Sequence, residues 1–260
     1  MPIRISTLLR SAFATGLLAT LGVAQAALVH EYRFDGGSTI VDSAGSLNGT
    51  LVVSATIANG ALNLNGVNGF GLLAGKIIPA SGDFTVALFA QEQASGAAHV
   101  ELISQGQSGS GFYIGYNPSD VFRITDSTPS SGVPYPGGGG LHHFALSVAG
   151  ASGMFYIDGV SKGTFAVARG VTGGDTRIGA QFDFGGGPFP EVFNGLIDDV
   201  ALYNTALTGQ SVLAIAQAGR SLEPASSDVP EPGSLLLMAL GLGGVFGLRH
   251  TSRRVQRTAA

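Results

Sequence analysis

Carboxylic acids are the side chains of this sequence best suited to acid–base chemistry, and their spacing argues against an enzyme. Hydrolysis of a glycosidic bond requires two carboxyl groups about 5–10 Å apart, one to protonate the leaving oxygen and one to attack or to activate water. Asp198 and Asp199 are adjacent, so on a β-strand they point to opposite faces and cannot form such a pair. The glutamates are widely scattered along the chain, at Glu31, Glu92, Glu101, Glu191, Glu223 and Glu231.

Histidine and serine give no stronger sign of catalysis. His142 and His143 are adjacent on a predicted strand, so their rings face opposite ways and are expected to be structural rather than to share a metal ion. Ser110 lies directly between Gly109 and Gly111, which is not the Gly-x-Ser-x-Gly spacing of a hydrolase nucleophile. The sequence contains no cysteine, which excludes disulfide bonds and thiolate metal sites. We therefore expect a protein that is not an enzyme and requires no cofactor.

Two long loops rich in Gly and Pro carry the candidate ligand-binding residues. They span 126–140 and 181–193, and long loops in compact domains are often functional. Aromatic rings with nearby carboxylates can stack on a sugar and hydrogen-bond to its hydroxyl groups. The candidates are Tyr135, Asp183, Phe184 and Phe189. The alternative is that the aromatic rings tuck under the loops as a satellite core.

The composition excludes several classes of protein. Charged residues are only 12 % of the chain and hydrophobic residues are 45 %, which disfavours both a disordered chain and a basic protein that binds nucleic acid. The 41 glycines show no three-residue period, so the chain is not a collagen.

The first 26 residues have the features of a secretory signal peptide. Arg4 and Arg10 precede an apolar stretch at about 11–23, and Ala24 and Ala26 fit the small-x-small pattern that signal peptidase recognises. The apolar stretch is shorter than the roughly 20 residues of a transmembrane helix. An N-terminal membrane anchor is the alternative.

The last 31 residues, 230–260, form a second targeting segment. Pro230, Glu231 and Pro232 precede an uncharged stretch at 233–248. At 1.5 Å per residue this stretch makes a transmembrane helix of about 24 Å, slightly short of the hydrocarbon core. A basic cluster that follows an apolar span stays cytoplasmic, so the preceding chain is expected outside the inner membrane. The cluster consists of Arg249, Arg253, Arg254 and Arg257.

This tail resembles the PEP-CTERM sorting signal, whose three parts are present in the same order. The resemblance implies that an exosortase, a membrane-embedded cysteine protease, recognises the tail and removes the helix. It also implies a Gram-negative bacterium that makes extracellular polysaccharide. The alternative is a plain C-terminal anchor without processing, which gives the same topology.

The segment between the two ends is predicted to be one all-β domain at 27–220, followed by a linker at 221–229. Short period-two runs recur between Gly, Asn and Asp turns, as in a sandwich. Asp158 and Gly159 predict a tight hairpin. A helix is predicted near 209–218, capped by Thr208 and Gly219, with an apolar side. That side consists of Val212, Leu213, Ile215 and Ala216.

The runs HEYRFDGG, GALNLNGVNGFGLL, GDFTVALFA, LHHFALSV, MFYIDGVSKGT and FNGLIDDVALYNTALT together resemble the laminin G-like or concanavalin A-like family. The resemblance implies a two-sheet antiparallel jelly-roll sandwich. That family often carries a structural calcium ion, and Asp35, Asp198 and Asp199 lie in the first and last strand blocks, which pair in its fold. The alternative is that these carboxylates are solvated or cap turns, because no loop shows an EF-hand-like run of ligands.

The sequence therefore indicates an exported protein that is anchored in the inner membrane before processing and then reaches the cell envelope or extracellular matrix. Its expected work is carbohydrate binding or adhesion in extracellular polysaccharide, with signal peptidase and exosortase as processing partners. Two of the 13 Lys and Arg residues lie in the signal segment and four follow the apolar stretch of the tail, while all 17 acidic residues lie from Glu31 to Glu231. The exported part thus has a net charge near −10, which disfavours contact with bare acidic polymers. The alternatives are a structural matrix protein that binds proteins or itself, and a divergent glycoside hydrolase.

Overall fold

The computed structural model describes residues 26–93, 99–107, 109–137, 139–181 and 191–220. These residues form fifteen β-strands and one α-helix. The elements are β1 (Leu28–Tyr32), β2 (Thr39–Ile40), β3 (Gly49–Val52), β4 (Thr56–Ala58), β5 (Ala61–Asn65), β6 (Phe70–Leu73), β7 (Phe84–Glu92), β8 (Val100–Gly106), β9 (Phe112–Tyr116), β10 (Phe122–Ile124), β11 (His142–Ala149), β12 (Ser152–Ile157), β13 (Val160–Ala166), β14 (Gly174–Ile178), β15 (Asn194–Tyr203) and α1 (Gly209–Ala218).

The strands form two sheets, as the jelly-roll prediction requires. One sheet has eight strands, in the order β13-β12-β11-β7-β15-β5-β4, with β1 also paired to β15. The other has seven strands, in the order β10-β9-β8-β14-β6-β3-β2. All pairs between these strands are antiparallel. The all-β antiparallel sandwich is confirmed.

The core lies between the inner faces of the two sheets, and the period-two pattern decides which side chains enter it. In β11, Phe144, Leu146 and Val148 are buried in this core, while Ala145 belongs to a cluster on the other face of the sheet. Burying a side chain such as Phe144 stabilises the fold by about 1.5–3 kcal/mol. The alternation of residues in the sequence therefore correctly predicts which β11 side chains face the core.

The helix α1 covers part of the outer face of the eight-stranded sheet. Its side chains Val212 and Ile215 are buried in the outer cluster. The Thr208 side chain accepts a hydrogen bond from the Ser211 backbone, and Gly219 ends the helix in the left-handed conformation, so both predicted caps are confirmed. The prediction for Leu213 is wrong in part, because this side chain is exposed rather than on the buried side.

The hairpin between β12 and β13 turns at the predicted dipeptide. Asp158 and Gly159 have φ angles of 52° and 77°, and two consecutive positive φ values are typical of the tight turn that joins antiparallel strands. Asp158 also accepts a hydrogen bond from the backbone N–H of His143, which ties the turn to β11.

Several sequence-based predictions concern residues outside the described ranges. They are the signal-peptide residue Ala24, the linker, the transmembrane helix at 233–248 and the whole of the sorting segment. In the described ranges, no helix has the length and apolar character needed to span a bilayer.

Candidate functional site

A row of three residues crosses the outer face of the seven-stranded sheet. The core side chains of β9 alternate with Tyr113 and Gly115, which therefore face away from the core. Gly115 lies opposite Arg123 of β10 on one side and opposite Glu101 of β8 on the other. The register thus places a guanidinium group and a carboxyl group on either side of a glycine.

Arg123 and Glu101 form a hydrogen bond across that glycine. The Arg123 Nη1 donates to Glu101 Oε1 over 2.8 Å, although two residues separated by an intervening strand are about 10 Å apart at the backbone. A Cβ atom on Gly115 would overlap the Glu101 carboxyl group and the Val100 carbonyl oxygen. The ion pair therefore depends on the missing side chain.

A second carboxylate reaches the same guanidinium nitrogen. Glu191 Oε2 accepts from Arg123 Nη1 over 3.0 Å. The Glu191 backbone is held next to β8, because its carbonyl oxygen accepts from the Glu101 N–H over 3.2 Å. His99 Nδ1 lies 3.9 Å from Glu191 Oε1 at the edge of the group. We call Glu101, Arg123 and Glu191 the Arg–Glu–Glu cluster.

Burial controls the charges of this cluster. The Glu101 side chain is fully buried, and burial raises its pKa well above the usual range, against the favourable field of Arg123 and with a further upward contribution from Glu191. Burial by itself would lower the pKa of Arg123. The carboxylates of Glu101 and Glu191 have a larger effect, so the pKa of Arg123 is raised. A protonated Glu101 can donate a hydrogen bond to the Glu191 carboxylate, whereas two ionised carboxylates at this distance would repel each other.

Two cation–π pairs lie on the same face of the sheet. The Arg123 guanidinium carbon is 4.6 Å from the centre of the Tyr113 ring. The Arg177 guanidinium carbon is 4.9 Å from the centre of the Phe70 ring, and its Nη1 donates to the Gln181 carbonyl oxygen. The aromatic rings hold both arginines flat against the sheet.

The exposed edge of the cluster determines what it can contact. The side chains of Arg123 and Glu191 are 11 % and 20 % exposed, whereas Glu101 is 0 % exposed. A molecule on this face would therefore meet a guanidinium donor and a carboxylate acceptor, with Glu101 behind them. Within the described residues, Glu101 Oε2 receives no hydrogen bond.

The sequence-predicted ligand residues are not assembled here. Tyr135 is buried, and its ring stacks on Tyr116 at 4.2 Å and on Phe144 at 5.8 Å between centres. It therefore packs in the core and is not an open platform for a sugar, which corrects its expected role. Asp183, Phe184 and Phe189 lie outside the described residues, so their predicted role stays a prediction.

The candidate calcium ligands show strong electrostatic coupling. Burial first, and neighbouring carboxylates second, raise the pKa of Asp199 to about 7. Burial likewise raises the pKa of Asp198 to about 6, although Asp198 accepts a hydrogen bond from the Asp199 N–H over 2.7 Å. Among the residues the structure describes, no three His, Asp or Glu side chains are grouped so that they could hold a metal ion. Calcium binding with Asp35 stays a prediction.

The adjacent histidines have different surroundings. His142 Nδ1 lies 2.8 Å from Asp158 Oδ2 at the surface. The His143 ring is buried against Phe89, 4.8 Å between centres, and neither of its nitrogens has a partner in the described part of the chain. Burial lowers the pKa of His143 to about 4, with Asp158 opposing, so the ring is neutral at neutral pH.

Comparison with protein families matches two segments of the chain. The model described as the concanavalin A-like lectin/glucanases superfamily matches residues 47–213. The model of the PEP-CTERM protein-sorting motif matches residues 228–254. Comparison with curated protein sequences gives no significant match.

Solved structures share the fold at low identity. A sialidase of Trypanosoma rangeli, in complex with 2,3-difluoro-KDN, is 20 % identical with a TM-score of 0.60, over 74 % of this chain and 33 % of the sialidase. Domain 4 of AbnA, an extracellular arabinanase from Geobacillus stearothermophilus, in complex with arabinotriose, is 22 % identical with a TM-score of 0.58, over 74 % of this chain and 100 % of that domain. The binding domain of botulinum neurotoxin serotype D/C is 14 % identical with a TM-score of 0.57, over 74 % of this chain and 52 % of that domain. This chain thus spans about a third of the sialidase, and the similarity concerns the fold alone.

Proposed function

The chain belongs to the concanavalin A-like lectin/glucanases superfamily, and from this premise we propose that it is a non-enzymatic protein that binds carbohydrate through the outer face of its seven-stranded sheet. The PEP-CTERM motif at 228–254 supports export and processing by an exosortase in the membrane. The final location we propose is the cell envelope or the extracellular polysaccharide matrix.

The Arg–Glu–Glu cluster is the observation that carries this proposal. Arg123 is held between two carboxylates and above the Tyr113 ring, so its geometry is fixed before any ligand arrives. Fixed donors and acceptors bind hydroxyl groups with little loss of side-chain entropy. Glu191 and Arg123 together present one acceptor and one donor at the solvent edge, which is the pair of functions that vicinal sugar hydroxyls require.

The net charge of the exported part restricts the class of glycan that the protein can bind. A net charge near −10 on the exported part repels polymers that carry many carboxylates or sulfates. We therefore propose a neutral glycan as the ligand. The fold is shared with an arabinanase domain in complex with arabinotriose, which supports a neutral sugar chain without identifying it.

A glycoside hydrolase is the second candidate. Glu101 and Glu191 accept from the same nitrogen at 2.8 and 3.0 Å, so two carboxyl groups lie close together, as hydrolysis requires. Glu101 is fully buried, however, and a general acid must reach the leaving oxygen. This burial favours binding over hydrolysis.

The test is a glycan array probed with the full chain purified in detergent. We expect binding to neutral glycans that is reduced in Glu191→Gln. The matched control is Asp175→Asn, which removes the charge of an exposed carboxylate on β14 of the same sheet. Release of reducing sugar that requires Glu191 would instead support the hydrolase. Self-association without glycan binding would support a structural matrix protein and contradict the proposal.

A further inference from the structure

A cavity of about 340 Å³ lies at the other sheet, where β1 and β15 meet the loop that leads into β7. Its apolar wall includes Val29, Pro79 and Leu202, and its polar lining includes His30, Asp83 and Asn204. The cavity shares no residue with the Arg–Glu–Glu cluster. Its volume is at the lower end of the range of about 300–1,000 Å³ found for ligand pockets.

His30 is fixed on the cavity wall by a buried carboxylate. His30 Nδ1 lies 2.6 Å from Asp42 Oδ2. Asp42 also accepts from the backbone N–H groups of Glu31, Gly45 and Leu47. Burial alone would raise the pKa of Asp42, but the hydrogen bonds from His30 and the backbone lower it. Because Asp42 acts only as an acceptor, His30 donates from Nδ1, and Nε2 remains an acceptor in the neutral ring.

Asp83 and Asn204 each use one side-chain oxygen for the fold. Asp83 Oδ1 accepts from the Gly150 N–H over 3.0 Å. Asn204 Oδ1 accepts from the Ala27 N–H over 2.9 Å. In the described part of the chain, the second oxygen of Asp83 and the amide nitrogen of Asn204 have no partner. Each residue therefore lines the cavity with one engaged and one unengaged polar atom.

These unengaged atoms define the chemistry of a ligand. His30 Nε2 and the second Asp83 oxygen accept hydrogen bonds, and the Asn204 amide donates them. An anion would be repelled by Asp83, whereas a neutral ring with several hydroxyl groups could satisfy all three and place its C–H face on the partly exposed Val29 and Pro79. We propose that this cavity is a second binding site, for the terminal ring of a neutral sugar.

The fold allows variants that change only the unengaged atoms. Asn204→Asp keeps the oxygen that accepts from Ala27 and replaces the donating amide with an acceptor. Asp83→Asn keeps the oxygen that accepts from Gly150 and replaces the accepting oxygen with a donor. Neither change alters the volume of the side chain appreciably, so the melting temperature is expected to remain close to that of the wild type.

The experiment is saturation-transfer NMR on the full chain in detergent, with D-glucose, D-galactose and L-arabinose as probes. We expect at least one of these sugars to bind, and each variant to weaken that binding by about tenfold or more, because a mismatched hydrogen bond at a charged or fixed group costs that much affinity. The matched control Asp175→Asn, at an exposed carboxylate of β14 outside both sites, is expected to leave this binding unchanged. Binding that is lost in Glu191→Gln but kept in both cavity variants would place the sugar at the Arg–Glu–Glu cluster and contradict this proposal, so failure at the two sites is distinguishable. The proposal is overturned if none of the three sugars binds, or if both variants retain wild-type affinity.

Discussion

Arg123 on β10 reaches Glu101 on β8 at 2.8 Å because Gly115, on the strand between them, has no side chain. This hydrogen bond passes over Gly115 on the outer face of the seven-stranded sheet. It also brings Glu191 to the same nitrogen, and the proposed glycan-binding surface is built on this arrangement.

Gly115→Ala is expected to destabilise the protein by about 1–3 kcal/mol, because the new methyl group overlaps the Glu101 carboxyl group and the Val100 carbonyl oxygen. Chemical denaturation measures the loss. Gly140→Ala is the control, since a Cβ atom there meets nothing within 4 Å, and we expect a change within about 0.5 kcal/mol. Equal losses of unfolding free energy in the two variants would show that the ion pair does not need a glycine at position 115.

Arg123→Met is expected to cost about 3–5 kcal/mol at neutral pH, because it leaves two buried or half-buried carboxyl groups without a cation. Arg123→Lys keeps a cation at this position, so it is expected to cost less than Arg123→Met. Unfolding free energies at neutral pH provide the measurement. Equal losses in the two variants would contradict a role for the charge of Arg123.

Glu101→Gln is expected to flatten the dependence of stability on pH. Burial raises the folded-state pKa of Glu101 above its ordinary value of 4.5, so its protonated form stabilises the fold below that pH. This contribution is lost as the pH rises towards the folded-state pKa. In a pH series of unfolding free energies, we expect the Gln variant to lack this decline. The same dependence on pH in the variant and the wild type would contradict a raised pKa for Glu101.

His143→Met is expected to remove a second pH dependence of the unfolding free energy, which has the opposite sign to that of Glu101. The folded-state pKa of His143 is about 4 and its ordinary value is 6.5, so the fold binds the neutral ring. Stability is full above pH 6.5 and falls by up to about 3 kcal/mol as the pH drops to 4. Met fills the space without a polar atom and should abolish that fall. His142→Gln, at the partly exposed neighbour, should leave it in place.

Calcium binding by Asp35, Asp198 and Asp199 is tested by melting temperatures with calcium and with a chelator. An ion would hold Asp199 ionised, although its pKa of about 7 leaves this carboxyl partly protonated at neutral pH. A calcium-dependent rise that Asp199→Asn removes would support the site, and Asn tolerates the positive φ of 45° at this position. A melting temperature that neither calcium nor chelator changes would exclude the site.

The architecture could be predicted from the sequence because local chemistry determines most of it. Alternation in β11, the turn at Asp158 and Gly159, and the helix caps Thr208 and Gly219 each depend on neighbours within a few residues. Leu213 was assigned to the wrong side because helical spacing does not show how far the sheet extends under the helix.

The site could not be predicted in the same way, because it depends on register. Glu101 and Glu191 are far apart in the sequence, and their meeting at Arg123 requires the alignment of three strands and a bulge in β8 after Glu101. Only the alternation in FYIGY and FRI could have placed Gly115 and Arg123 on the outer face. Tyr135 stood in a Pro- and Gly-rich segment typical of exposed loops, yet tertiary stacking buries its ring.

The most direct test of the account is the affinity of the full chain for the best neutral glycan from the array, measured by titration calorimetry for the wild type, Glu191→Gln and Asp175→Asn. We predict that Glu191→Gln weakens binding about tenfold or more, since it removes a charged acceptor at the solvent edge of the cluster, and that Asp175→Asn binds like the wild type. Wild-type affinity in Glu191→Gln would show that carbohydrate does not bind at this face.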